Sequence, residues 1–187
     1  MIETGDLRRG LVIEMDGELY RINEFAHNKQ GRGSANVRLV LKNLRTGATT
    51  TQTFQAGSRF NSVRLERVRA QFLYADEEFY NFMDVDTYDQ FQLDKETLGE
   101  TVNYLVPDMV IELLTHEGNA IDIELPTAVE LEVTQTDPGF RGDTATGGSK
   151  PAVLETGLTI QVPLFVSQGD RVKVDTRTGE YLERVSS

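Results

Sequence analysis

The chain has no cysteine and no tryptophan. Without cysteine, disulfides and thiolate zinc sites are excluded, and a reducing cytoplasm is the natural setting. Histidine is nearly absent too: the sequence has two, His27 and His116, widely separated along the chain. A Ser/His/Asp triad or a histidine-rich metal site would need the fold to bring distant residues together. No apolar run approaches the ~20 residues of a membrane span. The first ten residues, MIETGDLRRG, show no apolar stretch of the signal-peptide kind. These absences predict a soluble cytoplasmic protein with no membrane partner, no metal and no cofactor.

Positive charge is scarce overall, with a formal net charge of −11, but it is not evenly scarce. Residues 1–65 carry ten Lys/Arg against six Asp/Glu, a balance of +4. Residues 66–126 carry three against fifteen, or −12, and residues 127–187 six against nine, or −3. Local potential governs partner choice more than total charge does. The basic third can meet RNA phosphates. The acidic middle would be repelled by RNA; it either faces a protein partner or simply solubilises the chain.

Hydrophobic periodicity reads almost everywhere as short strands broken by turns. Residues 11–15 and 18–26 flank Asp16-Gly17, a two-residue hairpin signal. Val37, Leu39 and Leu41 alternate with Arg38 and Lys42, as in a half-buried strand. Thr46-Gly47 leads into a Thr-rich strand at 48–54, and residues 62–68 read as one further strand. In the middle third, strands at 71–74 and 79–83 surround the polar turn Asp76-Glu77-Glu78. Residues 87–91 and 95–103 are short helical candidates, and strands at 110–115 and 120–125 pair around residues 116–119. The last third offers strands at 129–136, 158–162, 171–175 and 180–185. About five strands per unit suits a small barrel. The charge shift near Leu65 and the proline at Pro126 divide the chain into units 1–65, 66–126 and 127–187. Modules of about sixty residues are marginal alone, so neighbours should brace each other.

One loop stands out for chemistry. Residues 27–33 read His-Asn-Lys-Gln-Gly-Arg-Gly between two clear strands, longer than the usual two to five residues of a hairpin loop. Lys29 is in it, and Gly31 and Gly33 leave the Arg32 guanidinium unhindered. A planar, permanently charged fork suits phosphate. On chemistry alone the loop is either an RNA-reaching finger or an ordinary solvated turn.

The stretch 150–169, KPAVLETGLTIQVPLFVSQG, decides more. Lys150, Ala152, Gly157, Ile160, Val162, Pro163, Val166 and Gly169 stand at the spacing of a family signature, and the segment resembles the C-terminal domain of bacterial elongation factor P. Asp6-Leu7-Arg8 with Gly10 resembles that family's N-terminal entry, and residues 88–91 its middle-domain Thr-Tyr-Glu-Gln-like segment. Residues 137–144 resemble the loop opening its third domain, and residues 175–181 its C-terminal run. The resemblance implies an all-β fold of three small barrels in series: an N-terminal SH3-like (KOW-like) barrel followed by two OB folds. It implies a monomeric, non-enzymatic factor that binds the ribosome, contacting peptidyl-tRNA and ribosomal RNA. Such a factor would promote peptide bonds that stall at consecutive prolines.

Carried over residue by residue, the resemblance makes Lys29, Gly31, Arg32 and Gly33 the tip that reaches toward the peptidyl-transferase centre. Many members have Lys at the tip, extended by a lysine-type modification. Here it is Arg32, with Gln30 where Lys-tipped members often have Pro. Arg32 is thus a position for an arginine-modifying enzyme, or for a bare arginine. Gly142, Asp143 and Thr144 correspond to a loop near the codon and anticodon, or else merely turn the chain. An OB-type RNA-binding module and a ribosome-associated paralogue of the family are the alternatives.

Other patterns carry less. Residues 142–150, GDTATGGSK, imitate a phosphate-binding P-loop, but the spacing is too long, Pro151 stands where Ser/Thr is needed, and strands should follow. Asp84, Asp86 and Asp89 lack the spacing and glycine of a calcium loop. Arg141-Gly142-Asp143 spells an adhesion tripeptide with no secretion signal to give it meaning.

Overall fold

A computed structural model of the chain describes residues 1–28, 35–139 and 148–185. These build three five- or six-stranded antiparallel sheets in chain order. The first uses β1 (Ile2–Glu3), β2 (Val12–Met15), β3 (Glu18–Asn28), β4 (Asn36–Asn43), β5 (Thr49–Gln55) and β6 (Arg59–Val63), in the order β1-β6-β2-β3-β4-β5. The Asp16-Gly17 hairpin forms as expected. Both residues take positive φ, 52° and 78°, which a two-residue turn matched to strand twist requires. The alternation in β4 holds: Val37, Leu39 and Leu41 are fully buried with Ile13, Ile22 and Phe60.

The second sheet runs β11-β10-β7-β8-β9. Its strands are β7 (Glu66–Ala75), β8 (Phe79–Asp84), β9 (Gln90–Asp94), β10 (Val110–His116) and β11 (Asn119–Glu124). Phe72, Phe82, Leu98, Ile111 and Leu113 are among its core. Two expectations need correction here. Residues 62–68 are not one strand: β6 ends at Val63 and β7 starts at Glu66, so the chain passes between sheets within that stretch. Residues 87–91 are not helical. The Asp84 carboxylate accepts the amides of Asp86 and Thr87, closing a turn that feeds β9; short Asp side chains favour such turns over helix interiors. The other helical candidate holds as α1 (Lys95–Leu98) and a following 3₁₀ segment, Gly99–Tyr104.

The third sheet runs β14-β13-β12-β15-β16. Its strands are β12 (Ala128–Thr136), β13 (Ser149–Leu154), β14 (Thr159–Pro163), β15 (Arg171–Asp175) and β16 (Tyr181–Val185). Sequence patterning missed β13, because Lys150-Pro151 breaks the apolar alternation. Pro151 nonetheless pairs in register with Gln161. The architecture is the expected one: a KOW-like N-terminal barrel and two OB-type units, all β apart from short helical turns.

The junctions differ. Tyr104 closes the middle unit's 3₁₀ segment yet packs into the third unit's core with Val106, Met109 and Leu125 beside it. The first and second units meet where Gly47 closely approaches the Glu96 carbonyl, beside an open cleft of about 710 Å³ lined by polar and apolar side chains alike.

Candidate nucleic-acid interface

The two segments singled out for RNA contact, Lys29 with Gly31, Arg32 and Gly33, and Gly142 with Asp143 and Thr144, lie outside the described residues. Their stems are described. β3 is eleven residues long and pairs with β4 out to Asn28↔Asn36. A bulge between Ile22 and Glu24 re-aims β3, as bulges do by bending and twisting a strand. Beyond it every residue from Glu24 to Asn28 is exposed, whereas Ile22 is fully buried. β3 is therefore exposed along its outer half, while its partners on β4, Leu39 opposite Phe25 and Val37 opposite His27, stay fully buried and β4 remains paired with β5 out to Asn36↔Gln55. Phe25 and His27 pack edge to face on β3, with ring centres 5.9 Å apart.

The N-terminal unit supplies cations. Arg8, Arg9, Arg38 and Arg64 are exposed and make no ion pair among the described residues. Arg45 is shared with Glu18, Arg59 pairs with Glu3, and Arg21 is tied to Asp122 of the middle unit. The Arg45 guanidinium, helped by the Asn43 amide, holds the Glu18 carboxyl below its ordinary range.

The middle unit is the electrostatic opposite. Backbone amides of Phe79 and Glu78 stabilise the Asp76 carboxylate, and those of Asp86 and Thr87 the Asp84 carboxylate, lowering both pKa values. These groups stay ionised, and Asp84 is engaged with its own turn. His27 lies on β3 and His116 on β10, in different sheets.

In the third unit the loop stems are pinned together. Lys150 is buried, and its ammonium donates to the Asp137 carbonyl at 2.5 Å. Thr136 donates its hydroxyl to the Pro151 carbonyl, and the Leu164 amide donates to the Gly148 carbonyl. Gly139 lies so close to Leu164 that a Cβ would stand 2.2 Å from its carbonyl oxygen. A strand follows Lys150, not the helix a P-loop needs. The signature positions are largely structural: Ala152, Ile160, Val162 and Val166 are core, and Lys150 braces the loop.

Three family models match in the same order. The elongation factor P KOW-like domain covers residues 3–60, the elongation factor P OB domain residues 65–123, and the elongation factor P C-terminal domain residues 129–184. The chain belongs to the elongation factor P family. It is 55% identical over 184 residues to elongation factor P of Moorella thermoacetica, covering 98% of this chain and all of that protein. To elongation factor P of Pelotomaculum thermopropionicum it is 52% identical over 185 residues, covering 99% of this chain and all of that one. A solved structure, eukaryotic translation initiation factor 5A from Methanococcus jannaschii, shares the fold. It superposes with a TM-score of 0.51 at 21% identity, over 66% of this chain and 91% of that one. Membership makes the chain a translation elongation factor.

Sequence reasoning missed the side chains that join the units: Arg21, Lys42, Thr97 and Asp122. One signal was there: Asp122, a carboxylate between Ile121 and Ile123, breaks an apolar run.

Proposed function

We propose that the protein binds the ribosome beside peptidyl-tRNA and promotes peptide bonds that stall at consecutive prolines. The observation that carries this is the long β3–β4 stem, paired out to Asn28↔Asn36 with every β3 residue from Glu24 to Asn28 exposed, in a chain of the elongation factor P family. Proline is a constrained secondary amine, so the reacting ends align badly. A factor that holds the tRNA acceptor end in a reactive geometry lowers an entropic barrier without chemistry of its own. Arg32, with Lys29, Gly31 and Gly33, contacts the terminal RNA backbone. The exposed cations of the same unit add salt-sensitive affinity for ribosomal RNA. Gly142, Asp143 and Thr144 reach the codon and anticodon end. The factor works as a cytoplasmic monomer with no catalytic group, metal or cofactor, and Arg32 is the position open to an arginine-modifying enzyme. Its units divide at 1–65, 66–126 and 127–187.

The test is reconstituted translation of a three-proline reporter beside a proline-free control. Arg32→Ala should abolish the proline-specific gain, with an unchanged melting curve as the control that the loss is not one of folding. Arg32→Lys should recover part, having charge but no planar fork. Normal proline synthesis by Arg32→Ala would sink the reading.

A further inference from the structure

The tip hairpin and the first interface share a strand. Arg21 lies on β3 opposite Lys42 on β4, in direct cross-strand register. Like charges facing each other on a sheet repel, and each is answered from the middle unit. Arg21 Nη1 donates to Asp122 Oδ2 at 2.7 Å, and Lys42 Nζ to the Thr97 carbonyl at 3.3 Å. Thr97 returns a hydrogen bond from its hydroxyl to the Arg45 carbonyl at 3.2 Å. The Asp122 side chain is only 6% exposed, and its other oxygen takes the Ile123 amide. Beside these contacts lies the open cleft, lined by Leu19, Leu44, Phe79 and Ile121 as well as by charged groups, and Gly47 closely approaches the Glu96 carbonyl.

We propose that Arg21 is a positioning residue: its pair with Asp122 sets the angle of the N-terminal unit and thereby where the outer end of the β3–β4 stem, at Asn28 and Asn36, stands. The lever is long. Seven residues separate Arg21 from Asn28 on one strand, about 23 Å at ~3.3 Å per residue. A rotation of about 10° at the base would displace the hairpin end by about 4 Å over that length. Misplacement of even about 1 Å can cost on the order of 10²-fold in a reaction that depends on alignment. Deleting Arg21 leaves a buried carboxylate without its cation, a costly state. The cheapest relief is for the units to part and admit water. The consequence for elongation rests on the ribosomal function proposed above; the consequence for the angle does not.

Because the chain has no cysteine, two introduced ones label cleanly. Dyes on Gln52→Cys and Glu77→Cys report the first junction by energy transfer; Glu77→Cys and Gln161→Cys report the second as a control. All three positions are exposed. Arg21→Ala should broaden the first distribution and leave the second unchanged. In the three-proline assay its maximal rate should fall about tenfold, while the factor concentration for half-maximal effect moves less than about threefold, because alignment rather than affinity is lost. Arg21→Lys should recover part of both. Asp122→Asn, which keeps the acceptor for the Ile123 amide, should repeat the phenotype and is read if Arg21→Ala does not fold. An unchanged first-junction distribution, or a broadened one with full activity, overturns the proposal. Arg32→Ala is run alongside: if it is fully active, the ribosomal reading fails, and the energy-transfer result still judges the latch.

Discussion

The Tyr104 hydroxyl lies 3.1 Å from where a Cβ on Gly179 would stand. Tyr104 comes from the middle unit's 3₁₀ segment and Gly179 from the turn between β15 and β16, so this contact is part of the seam joining the last two units. Gly179 holds φ at 75°, and its amide donates to the Asp175 carbonyl at 2.8 Å.

Gly179→Ala therefore meets two penalties, a left-handed backbone and a crowded hydroxyl. We expect a loss of about 1–2 kcal/mol from the backbone alone, read by urea unfolding. Tyr104→Phe removes the obstructing oxygen. The double variant should accordingly lose less than the two single losses combined, the mark of coupled neighbours. Strict additivity would show that the hydroxyl does not crowd this site. Tyr104→Ala, which empties space in the third core, should cost about 3–5 kcal/mol.

Stability should be flat across neutral pH and fall at both ends. Asp84, Asp76, Asp175 and Glu18 all have lowered pKa values in the folded state, held down by the Asp86 and Thr87 amides, the Phe79 and Glu78 amides, Arg177, and Arg45 respectively. A lowered folded pKa stabilises above the unfolded value and is lost as pH falls through the folded one. The acid limb should begin below about pH 4.5, where unfolded carboxyls start to protonate. Burial raises the Tyr104 and Tyr80 pKa values, with Glu100 and Asp175 adding to the rise at Tyr104. There the unfolded chain loses its protons first, so stability should fall above about pH 10. Urea midpoints from pH 3 to 11 check both limbs. Asp84→Asn should flatten the acid limb; an unchanged limb would show that its turn does not contribute.

Lys150 braces the third-unit loop through one carbonyl. A hydrogen bond from a charged donor is worth roughly 1.5–3 kcal/mol, while desolvating the ammonium works against it. Lys150→Met keeps the volume and removes both, so it should change stability by less than about 1.5 kcal/mol. Lys150→Ala also leaves a cavity and should cost about 2–5 kcal/mol. If Met were as damaging as Ala, the hydrogen bond rather than packing would be what matters.

Much of this was legible in the sequence, and the failures have physical causes. Hairpins announced themselves where turn chemistry is unambiguous, as at Asp16-Gly17 and the positive-φ pair Glu117-Gly118. β4 was plain because its alternation matches one buried face. β13 was hidden by a buried lysine and a proline tolerated within the sheet. The 62–68 stretch misled because a crossing between sheets changes no residue type. Of the Arg21–Asp122 pair only the odd carboxylate at Asp122 was legible: its partners are 101 positions apart, and only the folded junction brings them together. The stems β3, β4 and β12 lie where strand patterning put them, whereas β13, the second stem of the third-unit loop, does not.

The last prediction concerns which cations reach phosphate. Four N-terminal arginines, Arg8, Arg9, Arg38 and Arg64, are exposed without an ion-pair partner among the described residues, while Arg45 is already engaged by Glu18. Each phosphate contact releases condensed counterions, so log K falls with log salt by about 0.7–0.9 per contact. Replacing one contacting arginine with Gln should reduce the slope by roughly that amount. Arg45→Gln should alter it much less, because Glu18 already neutralises that charge locally. Ribosome binding measured between 50 and 200 mM salt yields every slope from one series. The same set read on stability should be nearly silent, since exposed substitutions rarely exceed ~0.5 kcal/mol. Equal slopes for all five variants would mean that the N-terminal surface attracts RNA only as a diffuse field, and a parent slope near zero would remove phosphate contact from the account altogether.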